Sequence, residues 1–265
     1  MAMAAGNVEY RIGQPPVAGV GVSLTGVELD AALHDSVADA VFDTSGTQTV
    51  KDFLDSLPST DFDSAGVERV LSVGGFPEDW RVGEGLAEVY LSEHRSCYFP
   101  WPDSRDERKA GSSLPGADLV GLCRDGATER FAFGEVKTSS ESQYPPGLMY
   151  GRTGMKRQLE DLRDSQEIRD DLVKYLAHRA CAATWKMRFA VAFARYTNDS
   201  SDVRVFGVLV RDVPPHFGDL DARVACLAQA VPAGMRIELV AIYLPGNTIP
   251  GMGRRIKVRR RGGKT

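Results

Sequence analysis

The sequence predicts an α/β protein in three layers, a mixed sheet with helices on both faces. Three observations predict it. Helical and strand-type apolar periodicities alternate from Arg81 onward. Two strand-like runs, 117–123 and 130–137, are joined by the turn-forming Arg124-Asp125-Gly126, the mark of an antiparallel hairpin. Finally, 265 residues with 43% hydrophobic and 26% charged side chains can bury a sizeable core and fit no disordered or coiled-coil composition.

Each element follows from local pattern. Residues 17–24 read as a strand. Leu29, Leu33, Val37, Ala40 and Val41 recur at helical spacing, with Asp30, Asp35, Asp39 and Asp43 on the wetter faces, either a solvated face or a docking surface for a basic partner. An amphipathic helix over 81–95 is marked by Val82, Leu86, Val89 and Tyr90 and is followed by a short strand, 97–101. A mixed-charge loop, 102–116, sets Arg105, Arg108 and Lys109 against Asp103, Asp106 and Glu107. After the hairpin and a Ser/Pro/Gly-rich loop, 138–154, the spacing of Met155, Leu159, Leu162, Ile168, Leu172 and Leu176 predicts one long or broken helix to about Ala180. Strands over 187–196 and 203–213, a helix over 220–231 and a strand over 237–244 complete the reading. The organisation is thus an acidic N-terminal region packed on the core (1–80), a catalytic-type α/β domain (81–245) and a basic, disordered tail (246–265).

The net charge of −4 averages unlike parts. The last twelve residues carry seven basic groups (Arg254, Arg255, Lys257, Arg259, Arg260, Arg261, Lys264) and no acid, which leaves 25 basic against 36 acidic before them. Such a body has little general affinity for a polyanion, whereas the tail suits phosphate contacts, subunit docking or simple solubility. No apolar stretch approaches the roughly 20 residues of a membrane helix, and Met1 to Arg11 lacks the basic start of a signal peptide. The expectation is a cytoplasmic protein with no membrane partner. Cys97, Cys123, Cys181 and Cys226 lack metal-type spacing and read as reduced thiols; Trp80, Trp101 and Trp185 read as packing residues.

Chemistry concentrates in the hairpin. Along 130–137, Phe131, Phe133, Glu135 and Lys137 share one face and Ala132, Gly134 and Val136 the other, so one face runs from aromatic to charged. Asp118, at the start of the neighbouring strand, lies beside Glu135. Burying such groups is costly without partners or a role. Two carboxylates with hard oxygens at one sheet end suit Mg²⁺ or Mn²⁺, with the Val136 carbonyl as a further ligand; Lys137 is then positioned to orient water or stabilise a phosphoryl transition state. Lys156, Arg157 and Gln158 near a helix start, and Thr138, are candidate phosphate contacts. Glu-x-Lys alone is a common chance pair on a surface strand; its conjunction with Asp118 and the flanking helices carries the reading.

These residues resemble the PD-(D/E)XK nuclease superfamily. Asp118 matches the motif aspartate and Glu135-Val136-Lys137 the E-x-K form, while Pro115 stands three residues before Asp118 instead of directly before it. The resemblance covers a little under half the chain and implies a restriction-endonuclease-like core, helix-strand-strand-strand-helix-strand over 81–196, with an appended strand-helix-strand. It implies an acid from the first core helix, Glu84 or Glu88, and a glutamine from the second, Gln158. The pattern Gly-Ala-Asp followed by Gly-Glu-x-Lys is similar to nuclease subunits of Hachiman-type anti-phage systems, which implies DNA as substrate and a helicase or ATPase partner. The rival expectation is a nuclease-like fold that acts only as a binding or assembly subunit, with the acidic region and basic tail as its docking surfaces.

Overall fold

The computed structural model describes residues 2–57, 64–71, 75–102, 105–106 and 116–262. Seven strands form one mixed sheet: β1 (Asn7–Gln14), β2 (Val17–Ser23), β3 (Cys97–Tyr98), β4 (Leu119–Asp125), β5 (Thr128–Ser139), β6 (Val203–Arg211) and β7 (Arg236–Tyr243), in the spatial order β1-β2-β7-β6-β5-β4-β3. β1–β2, β3–β4 and β4–β5 are antiparallel; β2–β7, β7–β6 and β6–β5 are parallel. Covered on both faces, the parallel strands are nearly continuously apolar, and their alternate side chains feed two separate cores.

One face is covered by α1 (Gly26–His34), α2 (Ser36–Val41), α5 (Asp79–His94) and α10 (Met252–Gly262); Val136, Val208 and Val240 meet their buried side chains. The opposite face is covered by α6 (Met155–Asp164), α7 (Gln166–Ala180), α8 (Lys186–Asn198) and α9 (Asp221–Ala228), packed on Phe131, Phe133, Val205 and Leu239. α3 (Thr44–Ser56) and α4 (Ser64–Leu71) follow α2. Local chemistry sets the boundaries. Thr25 and Glu28 form a capping box at the start of α1, Gly126 takes φ +62° in the β4–β5 turn, and Ser165 breaks the long helical run by capping α7 through the Ile168 N–H.

Three expectations need correcting. Residues 187–196 form helix α8, not a strand. Phe189 and Tyr196 turn inward against Phe131 at ring separations of 5.4 and 5.6 Å, while Met187, Val191 and Phe193 stay exposed, so apolar residues lie on both sides of the helix and the sequence pattern blurs the helical period. The strand parallel to β5 is therefore β6. The basic segment 246–265 is not disordered over its first half: α10 buries Met252 and Ile256, and Arg255 pairs with Asp30 of α1 at 2.7 Å. Acidic region and basic tail thus meet within one chain. The N-terminal region also supplies two strands of the sheet, joined through β7 by the exposed-edge hairpin β1–β2 that the sequence reading reduced to one strand. Among the described residues no helix is long and apolar enough to cross a membrane.

Candidate active site

β5 outruns β4. The last β4–β5 pair is Leu119 with Gly134, so beyond it the β4 side of β5 has no strand partner. Asp118, the residue before β4, takes over there: its Oδ2 accepts the Val136 N–H at 2.8 Å. This contact fixes the Asp118 carboxyl at the strand end, next to Glu135.

Glu135 is wholly buried (0% exposed) and continues the Phe131/Phe133 face toward α6. The Lys137 ammonium, itself partly exposed, donates to its Oε1; its Oε2 accepts no hydrogen bond, and Asp118 is the other side-chain hydrogen-bonding neighbour of the carboxyl. Burial is the largest influence on its acidity and repulsion from Asp118 the next; Lys137 offsets them only in part, and the Glu135 carboxyl is pushed up to about 9. A carboxyl in this state holds a proton at neutral pH.

Glu135 opens into a cleft of about 530 Å³. Its walls are Ala117, Val120, Leu162, Ile168, Leu172 and Tyr175, and its polar groups besides Glu135 are Gln158, Asp161 and Asp171. Gln158 projects from α6 with its Oε1 buried and unpartnered. Arg157 is exposed and tied to Asp161 at 2.9 Å, and Lys156 is half-buried on the same turn. Thr138 is not part of this side. Strand alternation turns it to the α5 face, where its Oγ1 sits against Gly83; a β-carbon at Gly83 would lie 1.9 Å from it. Thr138 and Gln158 therefore cannot grip one phosphate together.

On that α5 face, Glu84 and Glu88 border a narrow crevice with Asp118, Phe99 and Trp101. Glu84 is paired with Arg81 at 3.0 Å. Both glutamates thus reach the neighbourhood of Asp118 from the side opposite the Gln158 cleft. Among the described residues no group of three or more His, Cys, Asp or Glu side chains converges closely enough to enclose a metal ion. The donor set that remains, two carboxylates with one orphaned oxygen, fits Mg²⁺ or Mn²⁺, since Mg²⁺ takes one or two protein carboxylates and fills its shell with water and substrate oxygen.

Pro115, Arg108, Lys109, Asp103 and Glu107 lie outside the described residues. Arg105, from the same loop, is engaged with Asp43 at 2.6 Å. The sequence reading missed the α7 contribution: Leu172 was legible as an apolar helix position, but nothing local marks it, Asp171 and Tyr175 as cleft walls beside Glu135. A scan against protein-family models finds no match, and no curated protein matches the chain.

Proposed function

We propose that this chain is a metal-dependent nuclease of the PD-(D/E)XK type that hydrolyses DNA phosphodiester bonds. The observation that carries the reading is Glu135, a fully buried carboxyl with one oxygen on Lys137, one oxygen unpartnered and Asp118 alongside. The element order also supports it: α5, then β3, β4 and β5 antiparallel, then α6 and a β6 parallel to β5, is the order expected of a restriction-endonuclease-like core. The E-x-K and Gly-Ala-Asp patterns support the narrower assignment, the nuclease of a cytoplasmic Hachiman-type anti-phage system with a helicase or ATPase partner.

In this reading Asp118, Glu135 and the Val136 carbonyl hold Mg²⁺ or Mn²⁺, and Glu84 or Glu88 approaches from α5. The chemistry that a bound cation supplies is acidification of a water and neutralisation of charge on the phosphodiester. Glu135 would have to lose its proton to serve as a ligand, so cation affinity would rise with pH. Lys137, freed from a purely compensating role, holds the attacking water or the developing negative charge. Gln158 offers its unpartnered amide to the substrate strand, and Lys156 and Arg157 flank it at the start of α6.

The test is cleavage of plasmid, linear duplex and single-stranded DNA with Mg²⁺, Mn²⁺ or chelator. Cleavage that needs the metal and vanishes in Glu135→Ala, with unchanged circular dichroism, supports the reading; a Glu135→Ala protein as active as its parent overturns the site. The pairing of Glu84 with Arg81 favours a second reading, a non-catalytic binding or assembly subunit. Calorimetric titration that finds no Mg²⁺ or Mn²⁺ binding, in a protein that still binds DNA or a helicase, selects it.

A further inference from the structure

Two of the four cysteines face each other across the sheet edge. Cys97 on β3 is in register with Cys123 on β4. Opposed residues of an antiparallel pair alternate between rungs that exchange backbone hydrogen bonds and rungs that do not. The Arg124 N–H donates to the Ser96 carbonyl at 3.0 Å, which makes 96/124 a bonded rung and 97/123 the open one. In an open rung the Cα atoms lie about 4.5 Å apart and the side chains are closest. That separation is inside the window of about 4.4–6.8 Å that a disulfide spans.

The thiols themselves converge. Both donate to the same carbonyl, that of Arg95 at the end of α5, at 3.7 Å from Cys97 and 3.3 Å from Cys123. Cys181 is exposed and Cys226 turns to Glu160, so neither competes for this position.

We propose that Cys97 and Cys123 are a reversible disulfide-forming pair, with hydrogen peroxide or an organic hydroperoxide as the oxidant. The Cys123 sulfur attacks the peroxide oxygen, the O–O bond breaks, and water (or an alcohol) leaves as Cys123 becomes a sulfenic acid. The Cys97 sulfur then attacks the sulfenic sulfur, a second water leaves, and the S–S bond forms. In sum two thiols and one hydrogen peroxide give one disulfide and two waters, the sulfurs losing the two electrons that the peroxide gains. Burial pushes the Cys97 thiol up, which suits it as the thiol that resolves the sulfenic acid. β3 is an edge strand of two residues, so few rungs need open for peroxide to enter.

The bond would act on the candidate site without touching it. β4 is preceded by Asp118, and α5 carries Glu84 and Glu88 and ends at His94, two residues before Ser96. Oxidation ties the start of β3, where α5 delivers the chain, to β4, and replaces the two S–H donors on the Arg95 carbonyl.

The experiment is a peptide map of the full chain after peroxide treatment and alkylation of remaining thiols, digested without reductant. The expected result is a linked peptide containing Cys97 and Cys123, lighter by two hydrogens than its parts and lost on dithiothreitol, with Cys181 alkylated. Cys97→Ser should lose the linked peptide, and the reversible rise in melting temperature that oxidation gives the parent should be absent. Recovery of Cys97 and Cys123 as separately alkylated or over-oxidised residues, or linked only through Cys181, overturns the proposal. The map of the parent chain decides without any variant, and its outcome is independent of whether the protein cuts DNA.

Discussion

The two ends of β5 bury charge in opposite ways. At its start, Arg130 lies between Asp125 and Asp202, each at 3.0 Å; Arg188 and Arg195 of α8 answer Glu129 at 2.8 Å and Asp202 at 2.6 Å. Cations and anions are matched there, and the network fastens α8 to the sheet. At its end, Glu135 has one cation, one like charge and one oxygen with no partner. Both ends lie on one strand, yet at the start each cation faces an anion, whereas at the end Glu135 has a single cation and a like charge beside it. Buried charge that is matched serves the fold; an unmatched buried carboxyl is what the proposed metal site calls for.

That contrast is open to attack from either end. The largest expected effect is on chemistry: Lys137→Ala or Glu135→Ala should lower metal-dependent DNA cleavage by about 10³-fold or more, measured as initial rates, while the melting temperature stays within a few degrees. Next comes the opposite end. Arg130→Ala leaves Asp125 and Asp202 without their shared cation and should cost about 3 kcal/mol in urea unfolding, with cleavage per folded molecule unchanged. Equal loss of activity in both variants would erase the distinction between the two ends.

A smaller effect tests the seat of α5. In Gly83→Ala the new methyl meets Thr138 Oγ1, and the variant should lose about 1–2 kcal/mol, recovered when Thr138→Ala is added. The smallest is a gain. Between the ordinary carboxylate value of 4.5 and about 9, the folded chain holds a proton on Glu135 that the unfolded chain has released. Stability of the metal-free protein therefore falls as pH rises through this window. Glu135→Gln removes the dependence, so it should match its parent near pH 4 and be the more stable of the two at pH 8, read from paired urea melts. A variant less stable than its parent at pH 8 would mean that Glu135 is compensated after all.

The contrast was half legible in the sequence. Alternation alone placed Glu135 and Lys137 on the face of Phe131 and Phe133, because side-chain direction in a strand repeats every two residues regardless of context. The hairpin, α5 and the break-prone helix over 155–180 were equally local, written in turn residues and 3.6-residue spacing. Over 187–196 the local pattern points to a strand, because apolar residues on both the covered and the exposed sides of α8 blur the period, and only the cover supplied by Phe131 and the exposure of Met187 distinguish the helix.

What the sequence determined by itself was therefore direction, turns and the candidate residue types. The tertiary structure alone decided which strand runs beside β5, that the N-terminal hairpin and the basic α10 belong to the same body, and that Asp118 occupies the rung that β4 vacates. It also decided that Glu135 is fully buried with an oxygen unpartnered, and that Thr138 turns away from Gln158. Each of these depends on groups far apart in the chain meeting across the sheet, and burial, like-charge repulsion and an unfilled hydrogen bond are properties of that meeting, not of any local stretch of residues.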